Sequence, residues 1–398
     1  MTATADLDAP FLPLDDPAFS LRDPRVAEAR AKSWYAHTPY GIAVLRHREM
    51  GELLINRSLR QGSHAWPEHN GVTGVFSDWW ARTILVQEGK DHSRLRRLVN
   101  PAFSPRLLEV MRPRFEAMAD ALVDGFIDRG ACDFMAEFAD PYAAQILCLM
   151  LGLPQAEAPR VLELSSIMGL ALGVDFSRHA ERIDRATEDM FDYADEVVAK
   201  RRGTRGDDFI SVLVSASEEG DRLNDEEMRD MILMLVFAGI DTTRNQLGLG
   251  MQMFLDHPEQ WDLLAEQPDL APRAVEEIMR LRPTITWVTR EAVDDLTYQG
   301  LEIRKGTTLH LLSGAAGTDD EVYEPGFDIT AERKRHFGFG GGVHHCLGHA
   351  IARSDMSVAL TILPRRIARP AANGTATWLP DSGNTGPITL PIRFDVQR

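Results

Sequence analysis

Residues 337–349 read FGFGGGVHHCLGH, so His344, His345, Cys346 and His349 fall within six positions behind a glycine run. These side chains bind metals, and two chemistries compete. A structural zinc site takes four ligands, usually as two spaced pairs. Cys346 and His349 offer one such spacing, but no second pair appears in the chain, and the adjacent His344 and His345 would point in different directions. The other possibility is a loop that presents one ligand.

The single-ligand reading accounts for more of the stretch. Gly338, Gly340, Gly341 and Gly342 permit tight left-handed turns and close approach of backbone to a flat cofactor. The residues after Cys346, LGHAIARSDMSVALTIL, read as a helix. A thiolate at a helix N-terminus is stabilised by the helix dipole and by free N–H groups. That suits a permanently deprotonated axial ligand to a heme iron.

A second chemical stretch lies in a long apolar segment, 225–257. Asn224 is a good N-cap, Glu227 completes a capping-box pattern, and Pro258 marks a stop. At 1.5 Å per residue the helix spans roughly 50 Å, enough to cross a domain. Its middle, MILMLVFAGIDTTRN, is apolar on nearly every side and is therefore expected to be buried. Yet it contains Gly239, Asp241, Thr242 and Thr243. Two readings stand. One is a kink with a threonine bonded back to the preceding turn. The other is a groove, where Ala238 and Gly239 remove bulk and Thr242 lies one turn on, on the same face.

The elements around these stretches are mostly helical. Segments 105–128 and 178–201 also carry apolar residues at three- and four-residue spacing, and short strand-like runs occur near 41–46, 296–310 and 388–395. The expected fold class is mainly α with small β-sheets, as one domain over 1–398, with residues 1–14 as a flexible N-terminal tail. Hydrophobic residues make up 44% and charged residues 26%, which is ordinary for a globular chain. A formal charge of −17 argues against broad nucleic-acid or anionic-membrane binding. Cys132, Cys148 and Cys346 are too few for a disulfide framework and point to a reducing compartment. The N-terminus lacks a basic start and a long apolar run, so the expected location is cytoplasmic.

Phe339-Gly-Gly-Gly-Val-His-His-Cys346-Leu-Gly348 resembles the heme-binding signature of the cytochrome P-450 family, Phe-Gly-x-Gly-x-His-x-Cys-x-Gly, at every defined position. Three further motifs agree in order. Ala238-Gly-Ile-Asp-Thr-Thr243 is similar to the family's oxygen-activation motif. Glu277-Ile-Met-Arg280 is similar to its Glu-x-x-Arg motif, and His92-Ser-Arg-Leu-Arg96 resembles the helix that reaches a heme propionate. The likeness spans roughly residues 15–395. Ala316-Gly-Thr-Asp-Asp320, Glu88-Gly-Lys-Asp-His92 and Ala331 depart from the family's usual pattern.

The resemblance implies a fold with heme b (iron protoporphyrin IX) between the long central helix and the cysteine loop. Cys346 would be the proximal ligand, with Phe339 packed near its sulfur. His92, Arg96, Arg290 and His344 would hold the propionates. Ala238, Gly239 and Gly348 would let the macrocycle approach. Asp241 and Thr242 would deliver protons to reduced dioxygen, which favours an O2-dependent monooxygenase. Glu277 and Arg280 would be a structural ion pair. Electrons would come from NAD(P)H through a separate ferredoxin and ferredoxin reductase. Arg333, Lys334, Arg335, Arg94, Arg97 and Arg353 are the candidate docking patch for that partner.

The resemblance also directs attention to a substrate pocket. Trp66, Phe76, Trp79 and Trp80, residues 166–176, Leu233 and Phe237, the stretch Thr284–Val288 with Trp287, and Ile388 are its candidate walls. Core packing is the competing reading for each. The implied substrate is a hydrophobic small molecule, free or tethered to a carrier, met by a monomeric enzyme in natural-product tailoring or catabolism. An atypical oxidase performing ring coupling or desaturation, a heme sensor without turnover and a zinc protein are the other readings. His345 and His349 receive no chemical role.

Overall fold

The computed structural model describes residues 9–103, 105–201, 208–218 and 223–397. Seven helices matter for the site: α1 (Gly89–Val99), α2 (Asp140–Leu151), α3 (Ala158–Gly169), α4 (Phe176–Arg201), α5 (Asp225–Asp256), α6 (Ala271–Leu281) and α7 (His349–Arg366). Five strands form the largest sheet: β1 (Tyr35–Thr38), β2 (Gly41–Val44), β3 (Leu59–Gln61), β4 (Trp287–Ala292) and β5 (Thr308–Leu312). Their order is β1-β2-β5-β4-β3, antiparallel except for the parallel β2–β5 pair. The architecture is mainly α with small sheets.

Helix α5 organises the molecule. Its start is the capping box read from the sequence: Asn224 Oδ1 accepts from Glu227 N at 2.8 Å, and Glu227 Oε2 accepts from Asn224 N at 2.9 Å. Reciprocal capping satisfies two of the four orphan N–H groups at a helix start. The helix then runs 32 residues, unbroken through Gly239. It threads two hydrophobic cores. Leu233, Phe237 and Ile240 pack with α2, α3 and α4, while Leu247, Met251 and Phe254 pack with α6 and α7. The Ala238–Gln246 stretch lies at the junction, where a cavity opens.

Part of the segment expected to be a flexible N-terminal tail is packed. Residues 1–8 lie outside the described residues, but 9–14 are packed onto the sheet. Leu12 N donates to His37 O, and Leu12 and Leu14 are buried in the core with Phe19. Two buried leucines hold this segment against β1. Among the described residues, no helix is long and apolar enough to cross a membrane.

Candidate active site

The cysteine loop is a compact turn ahead of α7. Cys346 N donates to Phe339 O at 3.0 Å, and Gly340 N donates to Phe337 O at 2.8 Å. Gly340 and Gly342 have φ of 66° and 70°, which a β-carbon disfavours. At Gly342 a Cβ would also come within 2.8 Å of the Leu54 carbonyl oxygen. Burial pushes the Cys346 thiol up, while N–H groups of Gly348 and His349 and the cations Arg96 and Arg353 pull it down. These groups favour a thiolate once a cation is available to bind it. Cys132 and Cys148 differ: burial pushes both up to about 12, as for inert core thiols.

Across from Cys346 lies a cavity of about 390 Å³. Every cofactor and oxygen residue picked out in the sequence lines it. Phe339, His344, Cys346 and Gly348 come from the cysteine loop, and Ala238, Gly239, Asp241 and Thr242 from α5. His92 and Arg96 come from α1, and Arg290 from β4. Zinc is the poorer fit: among the described residues, no group of three or more His, Cys, Asp or Glu could hold a metal ion. His344 instead turns toward Glu88, with Nε2 to Oε1 at 3.1 Å, and its ring lies 4.1 Å from that of His92. His345 packs on His349 at 4.7 Å.

Arg290 tests whether this cavity suits an anionic cofactor. It is 3% exposed, and its guanidinium reaches only carbonyls: Thr289 O at 3.0 Å, and Leu54 O and Gly341 O at 3.4 Å. Among the described residues no carboxylate lies within 4.0 Å of it. Burial pushes it down to about 10, with Glu88 pulling the other way. A buried cation short of an anion is costly, and a heme propionate would supply one. Burial likewise pushes His92 down to about 4, and Arg96 lies beside it. The donor set fits the two carboxylates of heme.

Each reading of the α5 stretch holds in part: the threonine bonds back and the turn lines a cavity, but the helix runs on without a break. Thr242 Oγ1 does bond back, to Ala238 O at 2.7 Å, and the same turn lines the cavity. Asp241 is buried and tightly partnered. Its Oδ1 accepts from Arg244 Nε at 2.7 Å and Nη2 at 2.5 Å, and its Oδ2 accepts from Asn384 Nδ2. Arg244 also reaches Asp140 Oδ1 at 3.3 Å. Burial works against the Arg244 cation, and the two carboxylates more than restore it.

The aromatic candidates divide. Trp66, Trp80, Phe237 and Trp287 line the cavity, as do Thr284, Ile285, Val288 and Leu172. Phe76, Trp79 and Leu233 do not; they are core residues. The Phe76 ring meets Trp79 at 5.4 Å and Phe176 at 5.5 Å, which seals these residues between α4 and α5. Ile388 is 49% exposed on a short strand, Pro387–Thr389, and the nearby wall is made by Gly383 and Asn384.

The basic patch is also reduced. Arg94 is paired with Glu227, Arg333 with Glu277 and Arg353 with Glu276, while Arg97 on α1 and Lys334 and Arg335 just before the loop are exposed. Glu277 and Arg280 form a closed brace, each 2% exposed, with two bonds between them at 2.6 and 2.7 Å. Arg280 further donates to Gly317 O and Gly326 O.

Residues that sequence reasoning missed are Glu88, Arg244, Asn384, His310 and Asp355. All but Glu88 and Arg244 line the cavity, and those two hold residues that do. The i, i+3 spacing of Asp241 and Arg244 on a helix was a usable signal. Asp355, buried on α7, has one carboxyl oxygen with no partner among the described residues, and burial raises it well above the usual carboxylate range.

One cysteine loop facing a long helix across a buried cavity defines a heme-thiolate class of site. The protein-family model for Cytochrome P450 matches residues 50–368, and the chain belongs to that family. Over 394 residues it is 36% identical to luteothin monooxygenase of Streptomyces thioluteus, covering 97% of this chain and 96% of that protein. It is 34% identical to mycinamicin IV hydroxylase/epoxidase of Micromonospora griseorubida, over 78% of this chain and 79% of the other. A solved structure of P450BioI, in complex with an acyl carrier protein ligated to hexadec-9Z-enoic acid, superposes with a TM-score of 0.87. The two are 27% identical, over 94% of this chain and 99% of that one. The chain is an O2-dependent monooxygenase, with heme as cofactor, a small-molecule substrate and external redox partners.

Proposed function

We propose that this enzyme binds heme b through Cys346 and hydroxylates or epoxidises a hydrophobic small molecule in natural-product tailoring. The convergence of Cys346, Arg290, His92, Arg96, His344, Asp241 and Thr242 on one cavity carries the reading. The bound heme supplies O2 activation. The chain's residues do the rest. Arg290, Arg96, His92 and His344 hold the propionates, and Arg290 thereby gains the anion it lacks. The N–H groups of Gly348 and His349 stabilise the Cys346 sulfur.

Thr242 presents a hydroxyl to the cavity, and Asp241, held by Arg244 and Asn384, is the carboxyl end of the proton path. Trp66, Trp80, Phe237 and Trp287 exclude water and orient an apolar substrate. Electrons come from NAD(P)H through a ferredoxin and its reductase, with Lys334 and Arg335 on the docking face. The enzyme works as a cytoplasmic monomer formed by a single domain. The named activities of the luteothin and mycinamicin enzymes support the tailoring assignment, and the P450BioI complex supports a carrier-tethered substrate as a variant of it.

The test is the visible spectrum of the purified, reduced protein under CO. A strongly red-shifted Soret band, lost in Cys346→Ala, is expected. A spectrum of histidine ligation, or an unaltered band in the variant, overturns the assignment.

A further inference from the structure

His310 sits in the middle of β5, the strand paired to β4 with Thr289 opposite it. It is fully buried and lines the same cavity as Cys346. Neither Nδ1 nor Nε2 has a hydrogen-bond partner among the described residues. A buried polar group without a partner costs about 1–3 kcal/mol, so a core packing role alone does not account for histidine here. Leucine or phenylalanine would fill the space at no such cost.

The surroundings narrow what this ring can take. Its ring contacts are aromatic: Trp287 edge-on at 5.2 Å and Tyr40 at 5.6 Å. Tyr40 in turn meets Trp66 at 5.7 Å and stacks on His69 at 6.1 Å, and Trp66 meets Trp287 at 6.3 Å. Of this group Trp66, His69, Trp287 and His310 line the cavity. Flat aromatic walls favour flat, conjugated ligands through offset and edge contacts. Burial pushes the imidazole down to about 3, with His69 adding to the effect, so the ring is neutral. A neutral imidazole carries one N–H donor and one bare acceptor. A carboxylate needs a cation there, and an ammonium needs an anion; among the described residues neither is bonded to the ring. An uncharged oxygen suits it: a hydroxyl can pair with either nitrogen, a carbonyl oxygen with the N–H alone.

We propose that His310 is the polar anchor of the substrate chamber, taking a hydroxyl or carbonyl oxygen of an uncharged, flat, ring-bearing substrate. The inference rests on the proposed function in taking this cavity as the substrate chamber. His310 is a specificity residue: it fixes one end of the molecule and so decides which carbon faces the Cys346 side.

The experiment uses the heme-loaded enzyme with 4-phenylphenol, 4-methoxybiphenyl and biphenyl as probes. Binding is read by quenching of tryptophan fluorescence, since Trp66, Trp80 and Trp287 line the chamber. Wild type should bind 4-phenylphenol about tenfold tighter than biphenyl, a net hydrogen bond's worth, with 4-methoxybiphenyl between them. His310→Phe should bring that ratio close to one, and His310→Gln should restore part of it. His310→Leu provides the same comparison should the larger ring not fit. Equal binding of the probes by wild type, or an unchanged ratio in the Phe or Leu variant, overturns the proposal; the imidazole would then serve only water. The CO spectrum, recorded on each sample, reports separately on the heme-thiolate assignment.

Discussion

Arg280 and Arg290 are two guanidiniums at nearly equal depth, 2% and 3% exposed, and the molecule treats them in opposite ways. Arg280 is saturated. It has both oxygens of Glu277 and two carbonyls, and Glu277 also takes Arg333 and the Asp328 N–H. Arg290 has only carbonyls, two of them distant, and burial depresses it. His310 extends the second pattern to a neutral group. A closed polar network fixes the backbone at Gly317, Gly326 and Asp328, ahead of the cysteine loop. An open one is a site whose partner comes from outside the chain.

The largest expected effect separates the two arginines. Glu277→Gln leaves Arg280 buried without its anion and should cost about 3–5 kcal/mol of stability. Arg290→Met removes a cation that the heme-free protein holds at a loss. It should leave heme-free stability unchanged or raised, yet weaken heme retention. Urea unfolding of each variant, heme-free and heme-loaded, checks this. The distinction fails if Arg290→Met destabilises the heme-free protein as much as Glu277→Gln does.

Next in size are the groups on α5, where a closed network meets the open cavity. Thr242→Val keeps shape and removes the hydroxyl. Product formed per O2 consumed should fall roughly 10²-fold, the usual worth of a positioned proton donor, with the CO spectrum intact. Arg244→Met should cost less turnover than Thr242→Val but more stability, because it strands both Asp241 and Asp140. Equal loss of turnover in the two variants would mean that Arg244 takes a direct part in proton delivery.

What the sequence disclosed and withheld follows the reach of each interaction. The cysteine loop, the capping box and the Glu277–Arg280 spacing are local patterns, and each forms as read. Partners far apart in the chain were invisible. Glu88 meets His344 across 256 positions, and Asn384 meets Asp241 across 143. Trp79 and Trp80 are adjacent and chemically alike, yet one is sealed in the core and the other faces the cavity. Which face of the short helix Val75–Trp80 is covered depends on the α4 and α5 side chains packed on it, not on its own pattern. His310 lies in a strand buried at every position, so periodicity gave no warning. Its polar type among leucines was the available signal.

Glu276 is intermediate between the two arginines and carries the smallest prediction. Its side chain is 42% exposed and lies between His336 at 3.1 Å and Arg353 at 2.5 Å. Burial alone would raise its carboxyl; hydrogen bonds from His336 and Arg353 reverse this and hold it at about 2, against an ordinary 4.5. A carboxyl depressed on folding stabilises fully above its unfolded value and loses that contribution as pH falls toward the folded one. Glu276→Gln should therefore lower the melting temperature most above about pH 5, with the gap closing as pH drops toward about 2. Solvent screening keeps the gap small, and added salt should narrow it. Melting curves across that range check both trends. A gap that is constant with pH would mean that Glu276 acts through packing, and that only fully buried charges brace the heme loop electrostatically.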